Sequence, residues 1–342
     1  MCNKYKKHLF WDKQPVSRVK LNKEGTISIN PRFNIILEDN MILKDIDVIS
    51  EITAVTSFIN THFSDTYIYP TQFLKESLQY LNNKKVFNIG LYLKKQLIGF
   101  IHAKPVIIYC KEIIDELYYV DFLCVHKEYR NKNIAVLLIS SLINKLGKTQ
   151  KYIFKKEKNP LPFNYINKTS YYFMDTRFIS VNPRITNNIV TLNKSNIQRV
   201  YEFITKIKNK RIAYDIISED EFTQLYLGRF KKVFIETDTK DNILSVLTYI
   251  HVQFSQSPLP LKTIDIESIY IDDMGDNIQI FDHLIQYAKQ NDVNIISCID
   301  QIYNKYFIDK FKMLKSMELY FHMYNFHIND TIANFNMAFN VL

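Results

Sequence analysis

The segment Tyr119-Val120-Asp121-Phe122-Leu123-Cys124-Val125-His126-Lys127-Glu128-Tyr129-Arg130-Asn131-Lys132-Asn133-Ile134-Ala135 holds the residues best placed to do chemistry. An apolar run empties into a polar basic loop, and the loop opens a stretch with Leu138, Ile139, Leu142 and Leu146 at helical spacing. A strand that feeds a helix this way brings unpaired backbone N–H groups and the positive end of the helix dipole to one spot, an anion site. Arg130 and Lys132 add formal charge suited to a diphosphate. The same residues would also serve as a plain solvated loop, so the assignment needs support from elsewhere in the chain. Cys124 lies inside the apolar run and reads as core rather than as a nucleophile. The eight histidines show no metal-ligand spacing, and His322 and His327 read as bystanders, so no metal is expected.

Composition narrows what such a site serves. The chain has 342 residues, enough for about two domains. Apolar residues make up 47% and charged residues 23%, the profile of a globular protein. Lys+Arg of 44 against Asp+Glu of 35 leaves +9, which favours an anionic ligand or surface. Only six glycines, with neither a Walker loop nor Gly-x-Gly-x-x-Gly, argue against folds built on Gly-rich phosphate loops. No apolar run approaches the roughly 20 residues of a membrane-spanning helix, and the polar start from Met1 to Lys7 has no secretory stretch behind it. Cys2, Cys110, Cys124 and Cys298 are dispersed without a Cys-x-x-Cys, which fits a reducing, cytoplasmic compartment. The basic run Lys148 to Lys158 reads as a solvated charged loop, and no nucleic acid is expected as a partner.

The elements that must position the loop follow from periodicity. Ile49 to Phe63 reads as a helix, and Thr71 to Leu74 opens another after Pro70. Val86 to Leu93 and Leu97 to Ala103 form a hairpin around Lys94-Lys95-Gln96. Glu116 to Val125 is a third strand, too apolar for an exposed edge, and Ala135 to Leu146 is a helix ending at Gly147. The order recurs later. Lys232 to Thr237 and Leu244 to Gln253 form a hairpin, Asp265 to Ile271 a strand, and Phe281, Leu284, Ile285 and Ala288 mark a helix that stops at Asn291-Asp292. Ile295 to Ile299 and Glu318 to Phe326 are further strands. A duplicated α/β unit is expected, with its boundary near Ser180 to Asn188 around Pro183.

Arg130 to Ala135 reads Arg-x-x-Asn-x-Ala, which resembles the Arg/Gln-x-x-Gly-x-Gly/Ala loop of GNAT-type acyltransferases that grips the coenzyme A pyrophosphate. More specifically, ordered matches from end to end resemble the eukaryotic-type N-myristoyltransferase family. Phe10-Trp11-Asp12-Lys13-Gln14-Pro15-Val16 looks like its Phe-Trp-x-x-Gln-Pro-Val opening, and Phe122 to Lys127 is similar to its Asn-Phe-Leu-Cys-Val-His-Lys segment. Cys298-Ile299-Asp300 with Asn304, Lys305 and Phe307 resembles its Ala-Leu-Asp and Asn-Lys-x-Phe-Leu run, and Tyr324-Asn325-Phe326 its penultimate Tyr-Asn-Trp strand. The resemblance spans most of the chain, with residues 181 to 230 poorly matched and shortened.

The resemblance implies an α/β (α+β) fold of two GNAT-like halves related by pseudo-twofold symmetry, with 1-182 binding myristoyl-CoA and 183-342 building the peptide groove and the catalytic C-terminus. It implies transfer of myristate from myristoyl-CoA to an N-terminal glycine of proteins or peptides, by direct attack on the thioester, in a monomer. Leu9, Phe10 and Trp11 fall on the coenzyme-contacting stretch, as do Cys124 and Val125. Arg130, Asn131, Lys132, Asn133, Ile134 and Ala135 fall on the phosphate loop. Phe122 and Leu123 occupy the positions whose N–H groups form the family's oxyanion hole, worth ~3–4 kcal/mol. The strand must bulge to free those groups, and both side chains are expected in the core. The carboxylate of Leu342 takes the place of the family's terminal base, needed because an α-amino group with pKa near ~7.7–8.0 is partly protonated. Asp121, Ile153, Tyr270 and Asp300 fall on substrate-binding positions.

This sequence departs from the family in ways that bear on substrate preference. Asp121 stands where the family has Asn, Ile153 where it has Thr, and Asn131 and Asn133 where it has Ser and a basic residue. The acidic loop is shortened to the region of Asp65, and the Gly-x-Gly-Asp-Gly stretch is replaced by Lys312 to Glu318. The compact chain suggests a minimal, viral or parasite version without the basic N-terminal extension. Two other readings stay open: a GNAT-type transferase with another acyl donor or a lysine acceptor, and a non-catalytic acyl-CoA or lipidated-peptide binding module.

Overall fold

Alternating apolar residues over most of the chain fold into one continuous fifteen-stranded sheet that runs through both halves, with only a two-stranded ribbon apart from it among the described residues. The computed structural model describes residues 10–16, 24–27, 33–63, 67–81, 84–147, 150–180, 185–186, 188–255, 260–272 and 278–339. The first half runs β1 (Gly25–Thr26), β2 (Met41–Asp45), α1 (Val48–His62), β3 (Tyr67–Ile68), α2 (Thr71–Gln79), β4 (Phe87–Leu93), β5 (Gln96–Cys110), β6 (Ile113–Val125), α3 (Ile134–Leu146), β7 (Tyr152–Glu157) and β8 (Tyr165–Asp175). The second half follows with β9 (Asn188–Thr191), α4 (Ile197–Lys208), β10 (Ala213–Ile216), α5 (Glu219–Tyr226), β11 (Lys232–Thr237), β12 (Ile243–Phe254) and β13 (Leu261–Ile271). It closes with α6 (Ile280–Gln290), β14 (Ile295–Ile299), α7 (Asn304–Phe311), β15 (Leu314–Tyr324), β16 (Phe326–His327) and β17 (Met337–Ala338).

The repeat read from the sequence is present in the strand pairing. In the first half β4 and β5 form a hairpin, β6 adds antiparallel to β5, and β7 lies parallel to β6 after the α3 crossover. In the second half β11 and β12, then β13, α6 and β14, repeat the same steps, with β14 parallel to β13. The halves then exchange strands. β15 of the second half pairs with β7, while β8 of the first half pairs with β14, and β8 and β15 pair with each other between them. A local twofold therefore runs through the β8–β15 pair, the duplicated α/β arrangement expected. The expected boundary at residues 182 and 183, with Pro183, lies outside the described residues. Among the described residues no helix is long and apolar enough to cross a membrane.

The stretch Lys148 to Lys158 corrects the sequence reading: Tyr152–Glu157 is a strand between β6 and β15, not a solvated loop. Alternation explains the miss. Tyr152 and Ile153 are buried at the paired end of β7, and the lysines fall toward its exposed end, so charge density hid a short strand. Each half keeps its own core. Trp11, Ile89, Leu91, Leu138 and Leu142 pack together under α3, and Val200, Ile204, Val246, Ile269 and Leu284 pack in the second half.

α3 lies so close on β5 that no side chain fits between them at Gly99. A Cβ there would meet Ile134 Cγ2 at 2.9 Å and Leu138 Cδ1 at 3.0 Å. Gly99→Ala is expected to lower stability by about 1–3 kcal/mol, as overpacking does. An unchanged urea midpoint for the variant would contradict this packing.

Candidate functional site

The pairing of β5 with β6 skips a step. Phe100 faces Cys124, but the next pair is His102 with Asp121, so Phe122 and Leu123 have no partner on β5. This is a β-bulge, and Phe122 takes a left-handed φ of 47° to make it. On the other side β7 accompanies β6 only from Tyr118 to Val120. Beyond Val120 neither neighbour pairs with β6 through Phe122 and Leu123, and a cavity of about 910 Å³ opens there.

The lining draws on both faces of the sheet. Val120 with Asp121 on β6, and Phe154 with Lys155 on β7, are chain neighbours that point to opposite faces, and all four line the cavity. One end is apolar, with Phe10, Trp11, Ile139, Leu142, Tyr152 and Tyr324. Trp11 is buried there, stacked 6.3 Å from Phe154 and edge-on to Phe10 at 4.8 Å. The other end carries Tyr67, Tyr69, His102, Lys104, Lys155, Tyr171 and Asp265, with Ile250 and Val252 from the second half.

At the bulge the geometry departs from expectation in two respects. Phe122 is buried as expected, but Leu123 is 36% exposed, because the inserted residue reverses the in–out alternation. The Phe122 N–H donates to Asp121 Oδ1 at 2.8 Å, so one of the two groups expected to be free already has an acceptor. Cys124 is buried, and burial pushes its thiol up to about 12, which keeps it protonated and inert.

The loop after β6 builds the mouth. Asn131 (φ 65°) and Asn133 (φ 59°) are left-handed, a conformation that asparagine tolerates better than most residues in place of glycine. Asn133 precedes α3 without a side-chain cap, so the helix's first N–H groups point out beside Ile134 and Ala135. Arg130 Nη2 donates to the His62 carbonyl at 2.7 Å and its Nε to the Val125 carbonyl at 3.5 Å, fixing the guanidinium at the cavity rim. The His62 and His126 rings lie 4.0 Å apart. Burial, then His126, Lys127 and Arg130, hold His62 below the ordinary imidazole range. The Lys132 ammonium sits 4.8 Å over the Tyr129 ring and is not part of the cavity wall. The mouth is therefore cationic and rich in free N–H donors, suited to a polyphosphate.

Other expected site residues fall away from the cavity wall. Ile153 is fully buried on the far face of β7 among Tyr119, Phe321 and Met323. Tyr270 packs in the core of the second half. Asp300 accepts from the Ser170 N–H at 2.8 Å and from the Thr169 hydroxyl, a structural brace between β14 and β8. Leu9, Asp65 and Leu342 lie outside the described residues. The tail leading to Leu342 runs inward: β17 pairs parallel to β10, and buried Phe339 lies 6.3 Å from Phe321.

Four cavity residues were not expected from the sequence: His102, Lys104 and Asp265 inside strands, and Lys155, which falls in the run read as a solvated loop. His102 Nδ1 donates to Asn88 Oδ1 at 2.8 Å, and Asn88 Nδ2 in turn donates to the Leu78 carbonyl at 3.1 Å. Burial holds the imidazole down at about 3, so it is neutral, with Nε2 buried and unpartnered. Asp265 accepts from Tyr171 at 2.7 Å and Ser297 at 2.8 Å, and burial pushes it up to about 6. A charged residue inside an apolar strand is the only signal such positions leave in a sequence.

Comparisons with known proteins bear on the amino half of the chain and on its fold. Residues 29–155 match the family model of Myristoyl-CoA:protein N-myristoyltransferase, N-terminal domain. A glycylpeptide N-tetradecanoyltransferase of Drosophila melanogaster is 24% identical over 162 residues, covering 42% of this chain and 34% of the relative. That of Schizosaccharomyces pombe is 29% identical over 157 residues, covering 40% and 34%. The matches thus span about a third of these relatives' length. The structure of Saccharomyces cerevisiae N-myristoyltransferase with bound myristoyl-CoA superposes with a TM-score of 0.82 at 16% identity, over 96% of this chain and 95% of that one. The resemblance read from the sequence is borne out, and the fold is the one that it implied.

The left-handed N-cap gives a direct check. Asn133→Val should cost about 1–2 kcal/mol, since a β-branched residue resists positive φ, while Asn133→Gly should be tolerated. Equal melting temperatures for the two variants would contradict the loop geometry.

Proposed function

We propose that this chain, similar to the N-myristoyltransferases in the sequence of its amino half and in its fold, transfers a myristoyl group from myristoyl-CoA to the amino group of an N-terminal glycine. The observation that carries this reading is the bulge at Phe122 and Leu123, which opens between an apolar pocket and a polar one. The apolar end from Trp11 to Tyr152 takes the acyl chain. At ~0.8 kcal/mol per buried methylene it can contribute up to about 10 kcal/mol before entropy. The N-terminus of α3, with Arg130 beside it, takes the coenzyme's phosphates.

The Phe122 and Leu123 N–H groups are the donors for the thioester oxygen. Negative charge grows on that oxygen as the glycine nitrogen attacks the carbonyl carbon, and it returns to the carbonyl bond as the carbon–sulfur bond breaks and coenzyme A leaves as its thiolate. For Phe122 to donate, Asp121 must release it, because a carboxylate and an oxyanion cannot share one N–H without repulsion. Before attack the glycine ammonium gives a proton to the carboxylate of Leu342, and the proton that the nitrogen loses after attack leaves with the coenzyme A thiolate. The inward course of the tail to buried Phe339 supports this. The wall formed by Tyr67, Tyr69, Tyr171, Ile250 and Val252 receives the peptide.

One observation favours a second reading. Asp121's hold on the Phe122 N–H suits a binding module that retains acyl-CoA without turnover. Mass spectrometry of Gly-starting peptides incubated with myristoyl-CoA separates the two. A mass gain of one myristoyl group on the glycine amine is expected, and acyl-CoA binding with no transfer to any glycine peptide would overturn the transferase reading.

Two variants refine it. Asp121→Asn keeps an acceptor for the Phe122 N–H but removes the charge beside the developing oxyanion, so kcat should rise about tenfold, or ~1.4 kcal/mol in barrier. A tenfold fall would instead make the carboxylate a base. Extending the chain past Leu342 should lower kcat by orders of magnitude with acyl-CoA binding retained, and unchanged turnover would rule out the terminal base.

A further inference from the structure

Lys104 is only 4% exposed, yet it lines the cavity on the side away from the acyl pocket. Its register partner on β6 is Tyr119. The Lys104 ammonium lies 5.6 Å from the centre of the Tyr119 ring, and the Lys155 ammonium, from the facing strand β7, lies 5.9 Å from the same ring. Neither lysine has a carboxylate or hydrogen-bonding partner among the described residues. The Tyr119 hydroxyl is also buried without a partner.

The neighbouring carboxylates are engaged elsewhere. Asp121 accepts from the Phe122 N–H, Asp265 from Tyr171 and Ser297, and Glu267 is paired with Lys231. Two lysines of the cavity wall therefore flank the Tyr119 ring with unused donor capacity, Lys104 also resting 4.8 Å from the Tyr80 ring, at a depth where an unpaired charge is costly. Aromatic faces relieve part of that cost but leave the ammonium protons unsatisfied. Burial, with Lys231 and Lys155 nearby, already drives Lys104 down to about 7. An entering anion would relieve this repulsion.

We propose that Lys104 and Lys155, on the cavity wall either side of the Tyr119 ring, form a subsite for the carboxylate of an acidic side chain in the acceptor peptide. This rests on the transferase reading and names its substrate class. Tyr119 precedes Phe122 by three residues, about 10 Å along the strand at 3.3 Å each. An extended peptide whose glycine amine sits at the bulge thus places a residue about three positions after the glycine at the lysines.

The test uses the full chain with myristoyl-CoA and Gly-starting peptides that carry Glu, Gln or Lys, in turn, at each of the second to fifth positions. At one position the Glu peptide should exceed its Gln counterpart about tenfold in kcat/KM, chiefly through KM. Lys104→Met and Lys155→Met should each reduce that ratio at least threefold, and Lys104→Glu should turn the preference toward the Lys peptide. Lys155 is the safer variant for folding, since it is only half-buried. Ratios within twofold of one at every position, or a ratio unchanged in both Met variants, would overturn the subsite. If no peptide is acylated, the transferase reading fails by itself. The subsite is then decided by fluorescence anisotropy of labelled Glu and Gln peptides with acyl-CoA present, where equal affinities would overturn it.

Discussion

A β-sheet consumes its backbone N–H groups in its own ladder, and a site that needs such groups must take them out of it. Here the withdrawal happens at one place, where the β5–β6 register skips and β7 ceases to pair with β6. Phe122 pays no side-chain penalty in the core, but its left-handed backbone is strained and persists only because both flanking ladders hold it. The cavity, the cationic mouth and the polar end all meet at this gap. Without the bulge, the acyl pocket and the second-half wall would be separated by closed sheet.

The duplicated architecture keeps that gap open. Because β15 inserts next to β7 and β8 next to β14, each half holds a strand of the other, and the β8–β15 pair locks them. β7 is thus anchored on its far side by a full antiparallel ladder with β15 while it leaves β6 on its near side. The second half contributes Ile250, Val252 and Asp265 to the same cavity through β12 and β13. The site is a product of both halves, which explains why neither boundary nor core alone describes it.

Much of this was legible in the sequence, for physical reasons. The hairpins, the third strand and the amphipathic α3 and α6 follow from periods of two and 3.6. The anion loop follows from a basic segment at a helix start, and its asparagines now have a cause, since they hold the positive φ values. α4 and α5 were missed although Ser218 and Glu221 form a capping box and Ile197, Val200, Ile204 and Ile207 keep a helical stripe. β7 was hidden by its lysines, and the exposure of Leu123 by a bulge that reverses alternation locally. His102, Lys104 and Asp265 could not be read at all. Their burial is set by tertiary contacts, and a lone charged residue in a strand carries no label for the face that it meets.

In the proposed transfer the thioester carbonyl is held by the main-chain donors of the bulge. A crystal structure with a non-hydrolysable myristoyl-CoA analogue tests it most directly. The carbonyl oxygen is expected about 2.7–3.2 Å from the Phe122 and Leu123 nitrogens, with the Asp121 carboxylate turned away. A carbonyl seated elsewhere, with Asp121 still accepting from the Phe122 N–H, would contradict it.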